Sequence, residues 1–476
     1  MTLVGGPLRV LIAPDSYKGT LTSVEVARAL AEGWLRARPG DDVRLAPLAD
    51  GGEGTLAAVE AAGGWVRREA EVRDPLGRQV RATWLASAAD GGAAAVLEMA
   101  AASGLSRLAA DERDPLGATT AGTGDLLRAA LDAGVRDVIL GVGGSATTDG
   151  GAGLLRALGA SVGKDLDTID LAGLDPRLGG LHVRVACDVT NPLLGPTGAA
   201  AVYGPQKGAS PDDVAVLDAR LARFADALEA ATGRRERDTP GSGAAGGLGF
   251  GLLCLTDRFS SLALDPGVDL VMAAAGFDDA LASADLVLTG EGRIDAQTAF
   301  GKTALGVARR ALAAGVPCVA VGGGVTPEGV DALSAVGARA VPASDPPIPL
   351  AEAIAAGAAP LLACGERLAH ELDASVGDPG RPPGPAASSV ARLQAAILAD
   401  RQRIAAGVRP LYHATWATTP DGAPMVDVMI RELPIIHLFV PDLADAPDGA
   451  RMLVARTLAV DSASFDVLVE ASPRSA

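Results

Sequence analysis

Gly141-Val142-Gly143-Gly144-Ser145-Ala146-Thr147-Thr148-Asp149-Gly150-Gly151-Ala152-Gly153 is the stretch on which the reading of the chain turns. The apolar Val138-Ile139-Leu140 before it has the character of a buried strand end, and Leu154-Leu155-Arg156-Ala157-Leu158 after it has helical spacing. Strand, glycine-rich loop and helix in that order make one step of an α/β sheet. Glycine lets a backbone approach a ligand closely and take positive φ. Free amides at a helix start attract an anion. Ser145, Thr147 and Thr148 add hydroxyl donors, and Asp149 adds a carboxylate that a metal ion could share. The loop suits phosphate; a tight turn with a helix cap is the plainer alternative.

Toward the N-terminus the same design recurs. Leu8 to Ala13 is a buried-type strand ending in Pro14-Asp15-Ser16-Tyr17-Lys18-Gly19-Thr20. Thr22 or Ser23 caps the next helix, with Glu25 in its first turn, and the helix runs to about Leu35. A second strand, Asp42 to Leu48, leads into Ala49-Asp50-Gly51-Gly52-Glu53-Gly54-Thr55 and another helix. In open α/β sheets ligands bind at the carboxyl ends of strands, so such loops can converge on one site. From Gly64 to about Leu85 the residues alternate as in antiparallel strands.

Toward the C-terminus, Leu181 to Cys187 is a strand ending in Asp188-Val189-Thr190-Asn191-Pro192. Tyr203-Gly204-Pro205-Gln206-Lys207-Gly208-Ala209 follows, and Gly241 to Gly249 is a second glycine-rich loop before a helix. Asp285 to Thr289 is a strand followed by a loop, Gly290-Glu291-Gly292-Arg293-Ile294-Asp295. Gly301-Lys302-Thr303 opens a helix, and Pro317 to Val321 is a strand before Gly322-Gly323-Gly324.

The bulk properties exclude several classes. A chain of 476 residues with net charge -17 holds more than one domain and repels nucleic acid and anionic membrane. An anionic substrate then needs a local cluster of Lys, Arg or backbone amides, with a divalent cation. Cys187, Cys254, Cys318 and Cys364 are far apart and form no zinc or disulfide pattern. Met1 to Ala13 lacks the layout of a signal peptide, and no apolar stretch is long enough to span a bilayer unbroken, so a cytoplasmic location is expected. Asp378-Pro379-Gly380-Arg381-Pro382-Pro383-Gly384-Pro385 reads as a linker over 377–386. Residues 387–476 read as a small α+β domain, with a helix from Ser389 to Ala405 and strands near Leu411 to Thr418 and Met425 to Glu432. That tail is expected to be either an oligomerisation or packing module or an effector-binding regulatory domain.

Two familiar patterns fit badly. Gly141 to Ala146 fits a dinucleotide fingerprint, which would imply a nicotinamide-dependent oxidoreductase, but three hydroxyls and an aspartate crowd a turn that should be apolar. Ala296 to Thr303 nearly fits an ATP-binding P-loop, but it starts too far from the strand ending at Thr289. What remains is a set of strand-end loops rich in Asp, Glu, Lys, Gly, Ser and Thr, the parts that phosphoryl transfer to a hydroxyl requires.

Seven motifs in order, APDSYKG at 13–19, ADGGEG at 49–54, GVGGSATTDGGAG at 141–153, ACDVTNPLLGPTGA at 186–199, YGPQKGA at 203–209, GSGAAGGLG at 241–249 and TGEGRID at 289–295, resemble the bacterial type I glycerate kinase family over about residues 8–373. The resemblance implies phosphorylation of D-glycerate with ATP and Mg²⁺, at the 2-hydroxyl. It implies an α/β chain in two domains, with the site in the cleft between them: a flavodoxin-like one from 1–64 and 286–376, and an inserted one from 65–285. Three departures stand out: a short segment from Gly163 to Asp170, Phe300 where the family often has His, and Gly322-Gly323-Gly324 in place of Ala-Gly-Ser.

Roles follow from motif and resemblance together. Asp15, Ser16, Asp50, Glu53 and Lys302 are expected to bind substrate, and Gly143, Gly144, Ser145 and Thr147 to hold the nucleotide phosphates. Asp188 is the first choice for general base, with Lys18, Lys207 and Arg293 stabilising charge. Asp149, Glu291 and Asp295 are candidate Mg²⁺ ligands. The partner is a small acid, with no nucleic acid and no membrane; self-association into a homo-oligomer stays open. The competing class is a non-catalytic phosphometabolite-binding regulator whose C-terminal domain is the output.

Overall fold

The computed structural model describes residues 6–377 except 90, 297, 299–302 and 347. In the tail it describes four strands and residues 404, 409, 451, 463 and 465. Among the described residues the chain is an α/β protein built on two large sheets.

The first sheet is five-stranded and wholly parallel. Its spatial order is Ala338–Pro342, Cys318–Val325, Leu286–Ile294, Arg9–Ile12, Asp42–Leu45. Numbered along the chain, this is the 2-1-3-4-5 order of flavodoxin-like sheets, read from the far edge. Val10, Leu11, Ile12, Val287 and Leu288 are buried, as a parallel sheet covered on both faces requires. On one face lies the helix Ser23–Ala37. Thr22 Oγ1 accepts from the Glu25 amide while the Glu25 carboxylate accepts from the Thr22 amide at 2.8 Å, a reciprocal cap. That helix packs on Ala359–Gly377 with no room for a side chain at Gly33, where a Cβ would lie 1.9 Å from the Leu362 carbonyl oxygen.

The second sheet is six-stranded, in the order Ser261–Asp265, His182–Ala186, Asp137–Gly141, Ala94–Glu98, Gln79–Ser87, Trp65–Arg73. The first four strands are parallel, and the last two, from the alternating segment, are antiparallel. All strands of the first sheet lie in 1–64 or 286–376, and all those of the second in 65–285. The cores nevertheless merge: Leu85 and Val96 of the second sheet share one buried cluster with Leu11 and Val287 of the first, bridged by Val59, Val271 and Phe277. The helix Gly267–Ala274, which supplies Val271, thus packs with the first sheet although it falls inside the inserted segment.

Several local expectations are corrected. Gly290 to Ile294 is not a loop: the strand runs on to Ile294 and pairs through Arg293 opposite Gly324. Gly322 to Gly324 likewise continue their strand to Val325. Glycine makes this continuation possible, since a Cβ at Gly290 would meet the Val321 carbonyl oxygen at 2.3 Å. The glycine-rich stretch from Gly241 does precede a helix, which becomes regular only after a kink where Ala245, Gly246 and Gly247 have positive φ and then runs to Cys254. The short Gly163 to Asp170 segment closes a two-stranded ribbon, Ser161–Val162 with Ile169–Asp170.

In the tail, Leu411–Thr418 and Pro424–Ile430 form an antiparallel pair, and Leu433–Phe439 and Asp466–Ala471 complete a four-stranded sheet. Most of the expected linker, the helix from Ser389, Phe300 and Lys302 lie outside the described residues. No helix among the described residues is long and apolar enough to cross a membrane.

Candidate active site

The carboxyl ends of the parallel strands of both sheets open on one cleft. In the first sheet the strand order reverses between Arg9–Ile12 and Leu286–Ile294, and the residues just past or at the end of those strands, Asp15 to Lys18 and Glu291 to Arg293, line it. The larger compartment has a volume of about 1120 Å³. A smaller one of about 190 Å³ is walled by Gly52, Gly143, Gly144 and Ser145. Asp50, Cys187, Asp188 and Val189 border both, so they form the waist between the two.

Each group at the waist is held by backbone. Asp188 follows the strand His182–Ala186, and its Oδ1 accepts from the Gly267 amide at 2.7 Å, at the start of the helix Gly267–Ala274. Burial raises its carboxyl above the usual aspartate range, and the nearby Asp50 and Asp269 charges add to this. Asp50 Oδ1 accepts from the Gly52 amide at 3.1 Å, and its Oδ2 accepts from Lys18 Nζ at 3.3 Å. The Asp50 charge raises the Lys18 ammonium, which stays protonated. Asp15 accepts from its neighbour's amide, Ser16, at 2.6 Å and from Thr303 Oγ1 at 2.6 Å, and burial raises its carboxyl too. Glu291 is buried and accepts from Thr298 Oγ1 at 3.0 Å.

The glycine loops of the two sheets meet backbone to backbone. A Cβ on Gly143 would stand 2.5 Å from Gly52 Cα, and one on Gly141 would stand 2.5 Å from the Gly51 carbonyl oxygen. On its other side the loop is pinned by Ser103-Gly104-Leu105, whose Leu105 amide donates to the Gly144 carbonyl at 2.8 Å.

Of the residues expected to act, Asp15, Ser16, Lys18, Asp50, Gly143, Gly144, Ser145, Asp188, Glu291 and Arg293 border the cleft. The others do not. Asp149 is committed to scaffolding: its Oδ2 accepts from the Thr120 amide at 2.9 Å, Thr120 Oγ1 at 3.0 Å and the Gly153 amide at 3.0 Å, and its Oδ1 from the Gly151 amide at 3.1 Å. With those donors on both oxygens it is a poor metal ligand. Lys207 is 1% exposed and donates to the Thr147 carbonyl at 2.6 Å, behind the loop. Thr147 is itself buried, Glu53 is exposed beside Gly144, and Asp295 pairs with Arg293 at 3.2 Å. Lys302 lies outside the described residues.

Sequence reasoning missed Glu98. It ends the strand Ala94–Glu98 and accepts from the Gly54 amide at 3.2 Å and the Leu56 amide at 3.1 Å, tying the second sheet to the start of the helix Thr55–Ala62. Burial pushes its carboxyl up to about 7. Its strand is buried nearly throughout, so no alternation marks such a residue; a lone acid at the end of an apolar run is the one signal available.

The cleft fits a nucleotide with a divalent cation. Asp15, Asp50, Asp188 and Glu291 put four carboxylates around it against Lys18 and Arg293. Among the described residues no three acidic, thiol or imidazole groups form a ready cage. Mg²⁺ ordinarily takes one or two carboxylates, phosphate oxygens and water. Glu291, and Asp50 whose Oδ2 partner, the Lys18 ammonium, is itself exposed, are the acids placed for that.

Comparison with known proteins gives a consistent answer. Residues 10–373 match the Glycerate kinase family. The chain is 44% identical over 360 residues to the glycerate kinase of Bacillus subtilis (strain 168), covering 71% of this chain and 92% of that protein. It is 42% identical over 350 residues to the glycerate 2-kinase of Escherichia coli (strain K12), covering 69% of this chain and 90% of that one. A crystal structure from Salmonella typhimurium LT2, provisionally designated glycerate kinase 2, superposes with a TM-score of 0.67 at 40% identity, covering 78% of this chain and 99% of that chain.

Proposed function

The chain belongs to the glycerate kinase family, and from that premise we propose that it transfers a phosphoryl group from ATP to the 2-hydroxyl of D-glycerate in the waisted cleft, in the cytoplasm. The single observation that carries the reading is Asp188: a carboxylate exposed to the cleft at its waist, with one oxygen fixed by a backbone amide and the other left for substrate. The relative named glycerate 2-kinase supports the choice of hydroxyl. ATP as co-substrate and four free thiols suit a reducing, ATP-supplied compartment.

In this reading glycerate occupies the small compartment. Gly143, Gly144 and Ser145 present backbone and hydroxyl there, and Lys18 reaches the waist to balance the acid's or the phosphate's charge. Asp188 accepts the hydroxyl proton as the oxygen attacks phosphorus. Its raised affinity for a proton brings it nearer the operating pH, which favours a general base. Arg293, at the cleft mouth, faces the charge that builds on the transferred group. When bound, Mg²⁺ would neutralise phosphate charge, and Asp50 and Glu291 are the acids of the cleft that would hold it, leaving Asp188 to the proton. Asp15, anchored by Thr303, and Ser16 line the same wall.

Asp188→Asn should lower turnover by roughly 10²-fold or more with the fold intact, measured as ADP release with D-glycerate. In the parent, activity should fall with decreasing pH earlier than an ordinary aspartate would dictate, because the raised Asp188 takes up its proton sooner. The variant should lack that limb. Near-normal turnover in Asp188→Asn removes it from the role. Ligand binding without ADP from the parent would instead favour a regulator. NMR of the phosphorylated product decides between the 2- and 3-hydroxyl.

A further inference from the structure

The larger compartment holds far more surface than phosphoryl transfer needs, and its lining changes character along the sheet edge. The chain that follows the outermost strand, Ala338–Pro342, supplies Ile348, Ile354 and the buried Leu361 to the lining, with Val325 from the end of the next strand in. Gly323 and Gly324 come next, then Glu291 and Arg293, then Asp15 and Lys18, and finally Asp50. Neighbouring strands lie about 4.8 Å apart, so the apolar end is three spacings, roughly 14 Å, from the strand that leads to Lys18. An extended nucleoside triphosphate has that reach from ring to last phosphate.

The helix Leu350–Ala356 gives a second indication. It contributes Ala353 and Ile354 to the cleft, yet Ile354 is 51% exposed. A branched aliphatic side chain left bare at a cleft rim has surface that a ligand could cover. The faces of a nucleobase are apolar and gain by leaving water against such a wall. Glycines beside it let ribose and phosphate lie directly on backbone.

Resting on the kinase reading above, we infer that the wall of Ile348, Ile354, Leu361 and Val325 holds the base of ATP, with the triphosphate running past Gly323 and Gly324 toward Lys18 and Asp188. The large compartment is then the nucleotide site and the small one the acid site, so the glycine loop at 143–145 serves glycerate and not, as its sequence suggested, the nucleotide phosphates.

The test uses the full chain, the Ile354→Glu variant and the fluorescent nucleotide mant-ATP. A charge at the rim should raise the apparent KM for ATP about tenfold, the cost of losing one partly covered aliphatic contact. The KM for D-glycerate should stay unchanged. The emission of mant-ATP should rise on binding to the parent and to Asp188→Asn, and with Ile354→Glu should need about ten times more nucleotide to rise as far. Ile354→Ser gives the same comparison should the charged variant misfold by circular dichroism. An unchanged KM for ATP, or a raised KM for glycerate in its place, overturns the assignment. The wider reading fails separately: a parent that forms no ADP yet loses mant-ATP through Ile354→Glu upholds the base site and refutes the kinase.

Discussion

Lys207 shows why residue type alone misleads. A lysine among glycines looks like a phosphate ligand, yet it is buried with its ammonium on the Thr147 carbonyl, and burial pulls it down to about 7. Between that value and the ordinary lysine range the unfolded chain carries a proton that the folded chain lacks, so stability rises with pH across the window. The limiting slope for one proton is about 1.4 kcal/mol per pH unit. Lys207→Met should flatten that rise relative to the parent, read from urea unfolding at a series of pH values between neutrality and pH about 9.5. An equal slope in both proteins would show that the ammonium is solvated. The Thr147 and Thr148 hydroxyls beside this network are buried without a hydrogen-bond partner among the described residues. Asp15, Asp50 and Asp188 were legible because each lies in the loop that follows a strand at its carboxyl end. Asp149 was not separable from them, because whether a loop carboxylate faces outward or caps its own turn depends on amides and hydroxyls brought from residues 119–120.

At the level of elements the period of hydrophobicity did most of the work, and glycine confounded it. Strands such as Arg9–Ile12 and His182–Ala186 sit where their apolar runs sit. The continuation of Leu286–Ile294 through two glycines was hidden, because glycine signals a turn until a neighbouring strand shows that it is a place of close approach. The cap that Glu98 gives to the helix Thr55–Ala62 comes from another sheet and has no local trace. The glycine contact between loops 50–54 and 141–145 is the element on which the waist depends. Gly143→Ala places a methyl group against Gly52 and should destabilise the chain by about 1–3 kcal/mol, as overpacking does. Because both loops border the small compartment, the KM for glycerate should rise as well. Urea unfolding and ADP release measure the two effects, and unchanged values of both would mean that the loops part freely.

For the molecule as a whole, the family match ends at residue 373 and the helix Ala359–Gly377 closes over Ser23–Ala37. A chain cut after residue 377 should therefore keep its fold and its ADP release, checked by circular dichroism and the same assay. Loss of activity with the fold retained would give residues 378–476 a part in the chemistry; a changed mass in solution would give them one in assembly. The tail's task was illegible because its residues carry packing patterns and no chemistry. The discontinuous sheet has a last implication, for synthesis on the ribosome. Val10 pairs with Leu286, so the strand Arg9–Ile12 has only Asp42–Leu45 beside it until the central strand emerges, nearly three hundred residues into translation. The six-stranded sheet needs nothing beyond residue 265 and can close first. Until its partner emerges, an apolar N-terminal segment stays uncovered, and that interval is when the nascent chain has most need of a chaperone.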